Sequence, residues 1–426
     1  MTSDHRRDDA WGRPAGDVRG RKKEALSMPK VYVGIDVAKF KHTCCAISGK
    51  GEVLRESFDF GNDREGFDLL MKTIAELGGR DEVAIAMEST GHYHLLLWRF
   101  LASKGYAVEV KNPKVIARFK AATEISGAKT DKRDAALIAR YAMTFGSSPS
   151  PLPSYALSRM KSLEREKYRL IRDRTALYNR ALAILDLTFP ELVGFLGERS
   201  GAGRDVLSSK TVRWLVSTHP SAESVASTKA ATAERLRSMS KGSFSLVRFH
   251  GLRELAKRSI GTSFPDEEAE LRQLLAECDS IDARTAAIDA ETAPLVDELC
   301  PQIASVPGIG KSTAAMIFAE VGGFGRFDSP DKLIKYAGLD VNVYQSGTVL
   351  KHGKMGRKGP PILRYALFLA AAKCRIHCPE IAEYYSSKVS QGKHRICALV
   401  CTARKILRMC WGMMKSGKPY ISKTAE

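Results

Sequence analysis

The 426-residue chain lacks the features that mark membrane and secreted proteins. No apolar run reaches the roughly 20 residues that a membrane-spanning helix requires. The N-terminal residues are polar and charged, without the apolar stretch of a secretory signal peptide. The nine cysteines are an odd number for a disulfide framework, so they are expected to be free thiols in a reducing compartment. We therefore expect a cytoplasmic protein.

The chain also has few acidic residues relative to its basic residues. The chain holds 48 Asp and Glu against 67 Lys and Arg, which leaves a net charge of +19. Residues 331–426 alone contain 18 basic and 5 acidic side chains. Such an excess favours a polyanionic partner. A membrane surface is the weaker interpretation, because no apolar run reaches transmembrane length.

Changes of composition along the chain predict four regions. Residues 1–28 are charged and lack periodicity, which indicates a disordered basic leader, or alternatively a basic arm on nucleic acid. Residues 29–150 alternate strand-like and helix-like patterns. Residues 151–295 are dominated by heptad patterns, interrupted by an inserted segment of about 194–265 to which no function is assigned. Residues 296–426 form a basic, helical C-terminal domain.

The first ordered region has the pattern of a layered α/β fold. Val31–Val37 is a short apolar, β-rich run of the kind that is buried on both faces of a sheet. Two strand patterns, a helix and then alternating strands and helices follow, which predicts a mixed sheet. Asp36 interrupts the first strand, where a charge is costly unless it is paired or binds a metal. Glu88 ends the fourth predicted strand.

Two further acids open a predicted helix in the segment Lys129–Ala135. Asp131 and Asp134 are three residues apart, so their carboxylates share one helical face and repel each other unless a cation or a proton relieves them. Alone, the pattern is typical of an Asp N-cap followed by a solvated acid. Together with Asp36 and Glu88, the order of acids resembles ribonuclease-H-like domains of the RuvC-like D-E-D-D type. Such acids serve phosphoryl transfer by holding two Mg²⁺ ions, hard cations that need oxygen ligands.

Two long helices are predicted from heptad repeats. The first lies in the basic segment 154–187 and the second in the acidic segment 266–294. Their apolar positions recur every seven residues, which is typical of a coiled coil, an oligomerisation device in most proteins. Opposite charge allows the helices to pair as an antiparallel hairpin, within one chain or between chains. The repeating residues are Leu163, Leu170, Leu177 and Ile184, and then Leu274, Ile281, Ile288 and Leu295.

A glycine-rich turn at 307–310 invites comparison with a nucleotide-binding P-loop. That motif is rejected, because it requires a glycine where Ser305 stands and a β-strand before the turn. The turn resembles instead the hairpin of a helix-hairpin-helix motif, in which N–H groups at a helix N-terminus bind phosphate. Gly308, Gly310 and Lys311 are therefore candidate nucleic-acid contacts.

Ser346 stands before Gly347 in a predicted loop, where a serine is ordinarily a turn residue. A dense cluster of cations follows and predicts a phosphate-binding loop. The candidate nucleic-acid contacts are Lys351, Lys354, Arg357, Lys358 and Arg364 in this cluster, with Lys129, Lys132 and Arg133 beside the helix acids.

Five motifs together resemble one family. They are GIDVAK, the glutamate of MESTG, KTDKRDA, PGIG, and YAGL…QSGT followed by GRKGPPILRYAL. The set is similar to the DEDD transposases of the IS-one-ten insertion-sequence family and to the Piv/MooV-type DNA invertases. The resemblance covers about residues 30–145 and 300–375, in the family's order.

The resemblance implies residue roles and partners. It implies a RuvC-like domain whose catalytic, metal-binding carboxylates are Asp36, Glu88, Asp131 and Asp134, and a C-terminal transposase domain whose nucleophile is Ser346. It also implies Mg²⁺ as cofactor, a phosphoserine intermediate, and guidance by a structured non-coding RNA that pairs with DNA. The expected partners are double-stranded donor and target DNA, this RNA, and further copies of the chain in a dimer or tetramer. Such a protein would act at the bacterial nucleoid.

Several alternatives stay open beside this interpretation. They are a Piv-type DNA invertase, a RuvC-like nuclease that hydrolyses DNA without a serine intermediate, and a non-catalytic nucleic-acid scaffold. Zinc binding by the pairs Cys374/Cys378 and Cys397/Cys401 with His377 is the weaker expectation, since cysteines at i, i+4 in apolar helices act as small core hydrophobes. His92 and His94 are expected at a helix start rather than on a metal.

Overall fold

The computed structural model describes residues 29–123, 130–197, 206–346, 349–356 and 358–422, and for residues 341–354 only the backbone. The predicted leader, Lys129 and Arg357 lie outside these ranges. The chain divides into two compact units, Met1–Leu152 and Pro153–Glu426. Within the described ranges, none of the helices has the length and apolar character needed to cross a membrane.

The first unit is built on a five-stranded sheet with the spatial order β3-β2-β1-β4-β5. The antiparallel neighbours are β1 with β2 and β2 with β3, whereas β1 and β4, and β4 and β5, run parallel. The predicted mixed sheet is therefore confirmed. The strands are β1 (Val31–Asp36), β2 (Lys41–Ser48), β3 (Val53–Gly61), β4 (Val83–Glu88) and β5 (Val108–Lys111), and the helices are α1 (Arg64–Leu77), α2 (His94–Ser103), α3 (Pro113–Thr123) and α4 (Asp131–Phe145).

Helices cover both faces of this sheet, because successive side chains of a strand point to opposite faces. Val33 and Ile35 of β1 join a core with buried residues of α1 and α2. Tyr32, two residues before Gly34, joins the opposite core with α4. A Cβ atom on Gly34 would lie 2.2 Å from the carbonyl oxygen of Ala135, so glycine is required where α4 rests directly on β1.

The second unit is mainly helical and contains one two-stranded sheet. Its helices are α5 (Tyr155–Thr188), α6 (Glu191–Gly197), α7 (Lys210–Thr218), α8 (Ala222–Ala226), α9 (Ala230–Met239), α10 (Leu246–Lys257), α11 (Pro265–Leu299), α12 (Pro301–Ala304), α13 (Lys311–Val321), α14 (Pro330–Ala337), α15 (Pro361–His377), α16 (Pro379–Ser390) and α17 (Arg395–Ser416). Its strands are β6 (Val341–Ser346) and β7 (Val349–Met355).

The long helices α5 and α11 pack against each other within one chain. Arg159, near the start of α5, pairs with Glu291 near the end of α11 at 2.6 Å. Arg180, near the end of α5, pairs with Glu270 near the start of α11 at 2.7 Å. The two helices therefore run antiparallel, with the basic helix set against the acidic one.

The inserted segment forms a small helical body where α5 ends and α11 begins. Buried residues of α6 to α10 share one core with Leu185 of α5 and with Leu271 and Leu275 of α11. A second core gathers α12 to α17 around the other end of the pair, where Met160 and Val296 are buried.

The cation-rich segment after Ser346 differs from its prediction. The sequence predicts a loop in a helical domain, whereas the backbone forms an antiparallel hairpin of β6 and β7, with Ser346 opposite Val349. The reason is the β-branched, aromatic and aliphatic content of both strands, as in Val341, Val343 and Tyr344, which favours extended pairing over a loop.

Candidate active site

The start of α4 places two of the four predicted acids. Thr130 is the N-cap, and its Oγ1 accepts a hydrogen bond from the backbone N–H of Arg133 at 3.4 Å. Capping therefore does not use either aspartate, unlike the ordinary interpretation of this pattern. Asp131 and Asp134 lie in the first helical turn, where the helix dipole stabilises negative charge.

The ends of two parallel strands place the other two acids. Asp36 is the last residue of β1, and Glu88 is the last residue of β4. The register pairs Ile35 with Met87, so the two acids are neighbours at the carboxyl ends of adjacent strands. Both lie on the face of the sheet that α4 covers, because Gly34 and Ala86, two residues earlier in each strand, point to that face.

The electrostatics of Asp36 show that the four acids form one cluster, hereafter the acid cluster. Burial, together with the smaller effects of the charges of Asp131, Asp134 and Glu88, raises the pKa of Asp36 to about 6. A hydrogen bond from the backbone of Val37 opposes these effects only in part. The cluster therefore concentrates negative charge that a proton or a cation would relieve.

A basic residue that the sequence analysis missed lies at this cluster. Lys120 of α3 pairs with Asp134, with Nζ 2.6 Å from Oδ1. Thr90 donates a hydrogen bond to Glu88 over 3.3 Å. No signal in the sequence singles out Lys120, because its partner lies on another helix and only packing brings the two together.

The donor set suits Mg²⁺, which prefers carboxylate and other oxygen ligands. Asp36 also favours a bound cation, because its carboxylate is more than half buried among like charges that a cation would neutralise. Among the residues that the structure describes, no three His, Cys, Asp or Glu side chains already converge closely enough to hold a metal. The ion pair of Asp134 with Lys120 is one contact that a bound metal would have to replace.

Basic residues lie beside the acids at the start of α4. Lys132 and Arg133 are exposed at the start of α4, and Lys129 lies outside the described residues. Lys41 of β2 pairs with Asp59 at 2.6 Å, which raises the pKa of Lys41, and Asp131 adds a smaller effect in the same direction. The rim of the cluster is thus basic although its centre is acidic.

In the second unit, the structure describes only the backbone around the predicted nucleophile. Ser346 ends β6, and Lys351 and Lys354 lie in β7. Lys358 is exposed, and Arg357 is outside the described residues. The guanidinium of Arg364 donates to the backbone carbonyls of Gly359 and Ala337, which connects the start of α15 to the end of α14.

The predicted glycine hairpin lies between α12 and α13. Gly308 has a φ of +94°, and a Cβ there would lie 2.8 Å from the backbone of Cys374, so glycine is required for contact with α15. Gly310 caps α13, and Lys311 pairs with Asp297 at 2.6 Å. Lys373 and His377, which the sequence analysis did not select as nucleic-acid contacts, line a groove beside this turn.

The other candidate ligands have structural surroundings. The nine cysteines are free, and Cys374 and Cys378 are buried as predicted. The core prediction is wrong for Cys397, which is exposed near the start of α17, where the helix face turns to solvent. His94 is the first residue of α2 and stacks on Trp98, and burial lowers its pKa.

The first unit has a mixed five-stranded sheet with an Asp and a Glu at two strand ends and two Asp residues at the start of one helix. This arrangement is that of a DEDD nuclease-like domain. The comparisons with known proteins agree. The family model of IS110 DEDD transposases matches residues 33–190, and that of the transposase IS116/IS110/IS902 family matches residues 300–386. The chain belongs to the IS110 family of transposases, the IS-one-ten family to which its motifs point.

Individual relatives match between 70% and 94% of the chain. The pilin gene-inverting protein of Moraxella bovis is 23% identical over 402 residues, covering 94% of this chain and 100% of that protein. An insertion element IS116 protein of Streptomyces clavuligerus is 24% identical over 422 residues, with 93% and 98% covered. An insertion element IS110 protein of Streptomyces coelicolor is 28% identical over 316 residues, with 70% and 73% covered.

Proposed function

We propose that this transposase cuts and rejoins DNA strands through a covalent phosphoserine intermediate, with its first unit acting as a RuvC-like, ribonuclease-H-like catalytic domain. The observation that carries the proposal is the state of Asp36. This carboxylate is more than half buried among three further acids, and its pKa is raised to about 6. A fold keeps such a costly cluster where a ligand neutralises it, and phosphoryl-transfer sites bind metal cations in this way.

Mg²⁺ would be held by the four acids of the cluster, Asp36, Glu88, Asp131 and Asp134. We expect two ions, because four carboxylates supply oxygen ligands for two. Bound there, Mg²⁺ would supply a Lewis acid for the scissile phosphate. The protein's own contribution is rigid placement, since two of the acids end neighbouring strands and two occupy one helical turn. Lys132 and Arg133, exposed beside them, would bind the flanking phosphates.

The proposed nucleophile is Ser346, and its chemistry conserves the phosphodiester. The bond from Ser346 Oγ to phosphorus forms as the bond from phosphorus to the leaving strand breaks. The serine gives up its proton, and the leaving oxygen takes up a proton to become a free hydroxyl. A hydroxyl of another strand then reverses the step and releases the serine, so no external energy source is needed for rejoining.

The test is a search for the covalent adduct. Purified full-length protein is incubated with labelled DNA carrying the element's end and then separated on a denaturing gel. We expect a shifted protein–DNA band for the wild type and no such band for Ser346→Ala. Ser386→Ala, an exposed serine on α16, serves as the matched control and should retain the band. An adduct of Ser346→Ala at the wild-type level would overturn the assignment, and free 5′-phosphate ends without any adduct would indicate a hydrolytic nuclease.

Guidance by a structured non-coding RNA is the second part of the proposal. The net charge of +19 supports a polyanionic partner, and no motif of the chain reads base edges, so base pairing would provide the specificity. Expression together with the DNA flanking the gene should yield a co-purifying RNA, and its removal by ribonuclease should abolish cleavage. Site-specific cleavage by RNA-free protein would contradict this part alone.

Assembly into a dimer or tetramer is proposed to involve the pair of α5 and α11. The intrachain pairing buries one side of each helix and leaves many charged side chains of both exposed. Light scattering of the full-length protein measures the mass of the assembly. A monomer at working concentrations, with DNA and RNA present, would contradict the proposal.

DNA inversion is a second candidate function, favoured by the match to the pilin gene-inverting protein over that protein's full length. A plasmid with two inversely oriented sites separates the two functions. Inversion exchanges the orientation of the intervening DNA, whereas transposition joins an element end to a new target.

A further inference from the structure

The turn between β1 and β2 presents an unusual side chain next to the acid cluster. Residues 37–40 follow Asp36 directly, and the turn ends with Phe40, whose side chain is 77% exposed. No other phenylalanine of the described ranges is more exposed. Single exposed apolar residues are common on protein surfaces, so it is the place of this ring, in the turn that follows Asp36, that makes it a candidate ligand contact.

The turn is held in place by a small hydrogen-bond network. The backbone N–H of Asn62 donates to the carbonyl of Phe40 over 2.9 Å, and the Asn62 side-chain amide donates to the carbonyl of Lys39 over 3.1 Å. The backbone N–H of Ala38 donates to Nδ1 of His42 over 3.3 Å. His42 is fully buried, with its ring 5.2 Å from that of Phe60. Phe40 is therefore carried on a fixed backbone.

The position of the turn relates it to the acids. Asp36 lies opposite Thr43 in the register of β1 and β2, so the turn closes directly over the strand end that carries this carboxylate. After the larger effect of Asp59, the charge of Asp131 also raises the pKa of Lys41, the next residue after Phe40. Lys39 places its Nζ 4.8 Å from the centroid of the Phe40 ring. An aromatic ring with one lysine beside it therefore lies in the turn that follows Asp36.

We propose that Phe40 stacks on an unpaired base of the strand whose backbone lies at the acid cluster, while Lys39 contacts a neighbouring phosphate. The proposal rests on the function proposed above. An aromatic face stacks on any base, so the contact positions the strand without reading its sequence. The base must be unpaired or displaced, because both faces of a base inside a duplex are covered by its neighbours. Phe40 is thereby a positioning residue for strand cleavage.

The test uses single-stranded oligonucleotides with 2-aminopurine at successive positions and full-length protein. Stacking on Phe40 quenches the probe at one position in the wild type. Phe40→Ala should remove this quenching and weaken binding about tenfold, within the range measured for single stacked bases. Phe40→Leu retains apolar bulk without an aromatic face and should behave as Phe40→Ala does, whereas Phe40→Trp should restore quenching and affinity. Leu69→Ala, half-exposed on α1, is the control and should match the wild type.

The outcomes separate this proposal from the proposed function. If wild-type protein forms the serine adduct but Phe40→Ala binds and quenches like the wild type, the stacking proposal fails alone. If no protein cleaves DNA while the Phe40 effects are present, the cleavage proposal fails and stacking stands. If Phe40→Ala changes only the molecular mass in light scattering, the ring contacts another protein copy and the stacking proposal is overturned. Thermal unfolding of each variant confirms that the proteins compared are folded.

Discussion

The acid cluster of the first unit and the helix pair of the second unit arrange their charges in opposite ways. In the acid cluster, burial and then the charges of three further acids raise the pKa of Asp36. In the second unit, Arg213 is buried against Asp282 and Asp279, and Glu320 is buried against Arg165. A cluster of like charges destabilises the folded chain, whereas in an ion pair each buried charge is compensated by its partner. The first arrangement is the one that the proposed metal site requires, and the second holds packed helices together.

The helix pair shows how the second arrangement works. Charges of α5 and α11 meet along the whole contact, from Arg159 with Glu291 to Arg180 with Glu270. Between these ends, Lys167 is buried against Asp289 and Ser312. Pairs of this kind fix which residues face each other more than they add stability, because desolvation offsets most of the attraction.

The largest expected effect removes the central acid of the cluster. Asp36→Asn should lower DNA strand cleavage on the order of 10³-fold, because metal ligation is worth several kcal/mol in the transition state. The free energy of unfolding should stay equal or rise in metal-free buffer, since a repelled carboxylate is gone. Cleavage assays and thermal unfolding measure the two quantities.

Asp68→Asn is the matched control, an exposed aspartate of α1, and should leave both quantities unchanged. Loss of stability in Asp36→Asn together with full cleavage would show that Asp36 is a structural residue. The contrast between the two units would then disappear.

A smaller effect is expected when a buried pair of the second unit is broken. Arg165 donates to Glu320 through Nε at 2.7 Å and Nη2 at 3.2 Å, and the Glu320 side chain is only 2% exposed. Arg165→Ala should cost about 3 kcal/mol of unfolding free energy, because it leaves a buried carboxylate without its main partner. Chemical denaturation measures the loss.

Arg159→Ala is the control for this change, since both partners of the Arg159–Glu291 pair are about half exposed. It should cost roughly 0–1 kcal/mol, as exposed ion pairs do. Equal losses for Arg165→Ala and Arg159→Ala would mean that burial does not distinguish the two pairs.

The smallest expected effect concerns Glu164, a buried acid of α5 in the helix pair. Glu164 is fully buried, and burial raises its pKa to about 7, against weaker opposing effects of Lys167 and of a hydrogen bond from Thr292. Because the folded pKa lies above the ordinary 4.5, stability present at low pH is lost as pH rises through 7. Glu164→Gln should therefore stabilise the protein at pH 8 by on the order of 1–2 kcal/mol and change little at pH 5.

Glu166→Gln is the control, because Glu166 pairs with Arg284 on the surface of the same helix pair. It should shift stability by less than about 1 kcal/mol without a trend between pH 5 and pH 8. Identical pH profiles of the wild type and Glu164→Gln would show that Glu164 does not titrate in this range.

Local patterns were enough to predict many elements. The alternation of strands and helices after Val31 and the heptads from Leu163 onward carry their own signal, because periodicity reflects which face is buried. The hairpin of β6 and β7 was missed because Gly347 and the following cations have the composition of a loop. Lys120 was missed because an ion pair between helices leaves no mark on local sequence.

The sequence by itself determined the family, the mixed sheet and the order of the four acids, since these follow from motifs and short-range periodicity. Tertiary structure decided how the acids meet, through the parallel register of β1 and β4 and the glycine contact that places α4 on β1. It also decided that α5 and α11 pair within one chain and that Asp36 is buried among like charges. The reason is physical: burial and electrostatic neighbours are properties of packed elements, which a linear pattern cannot specify.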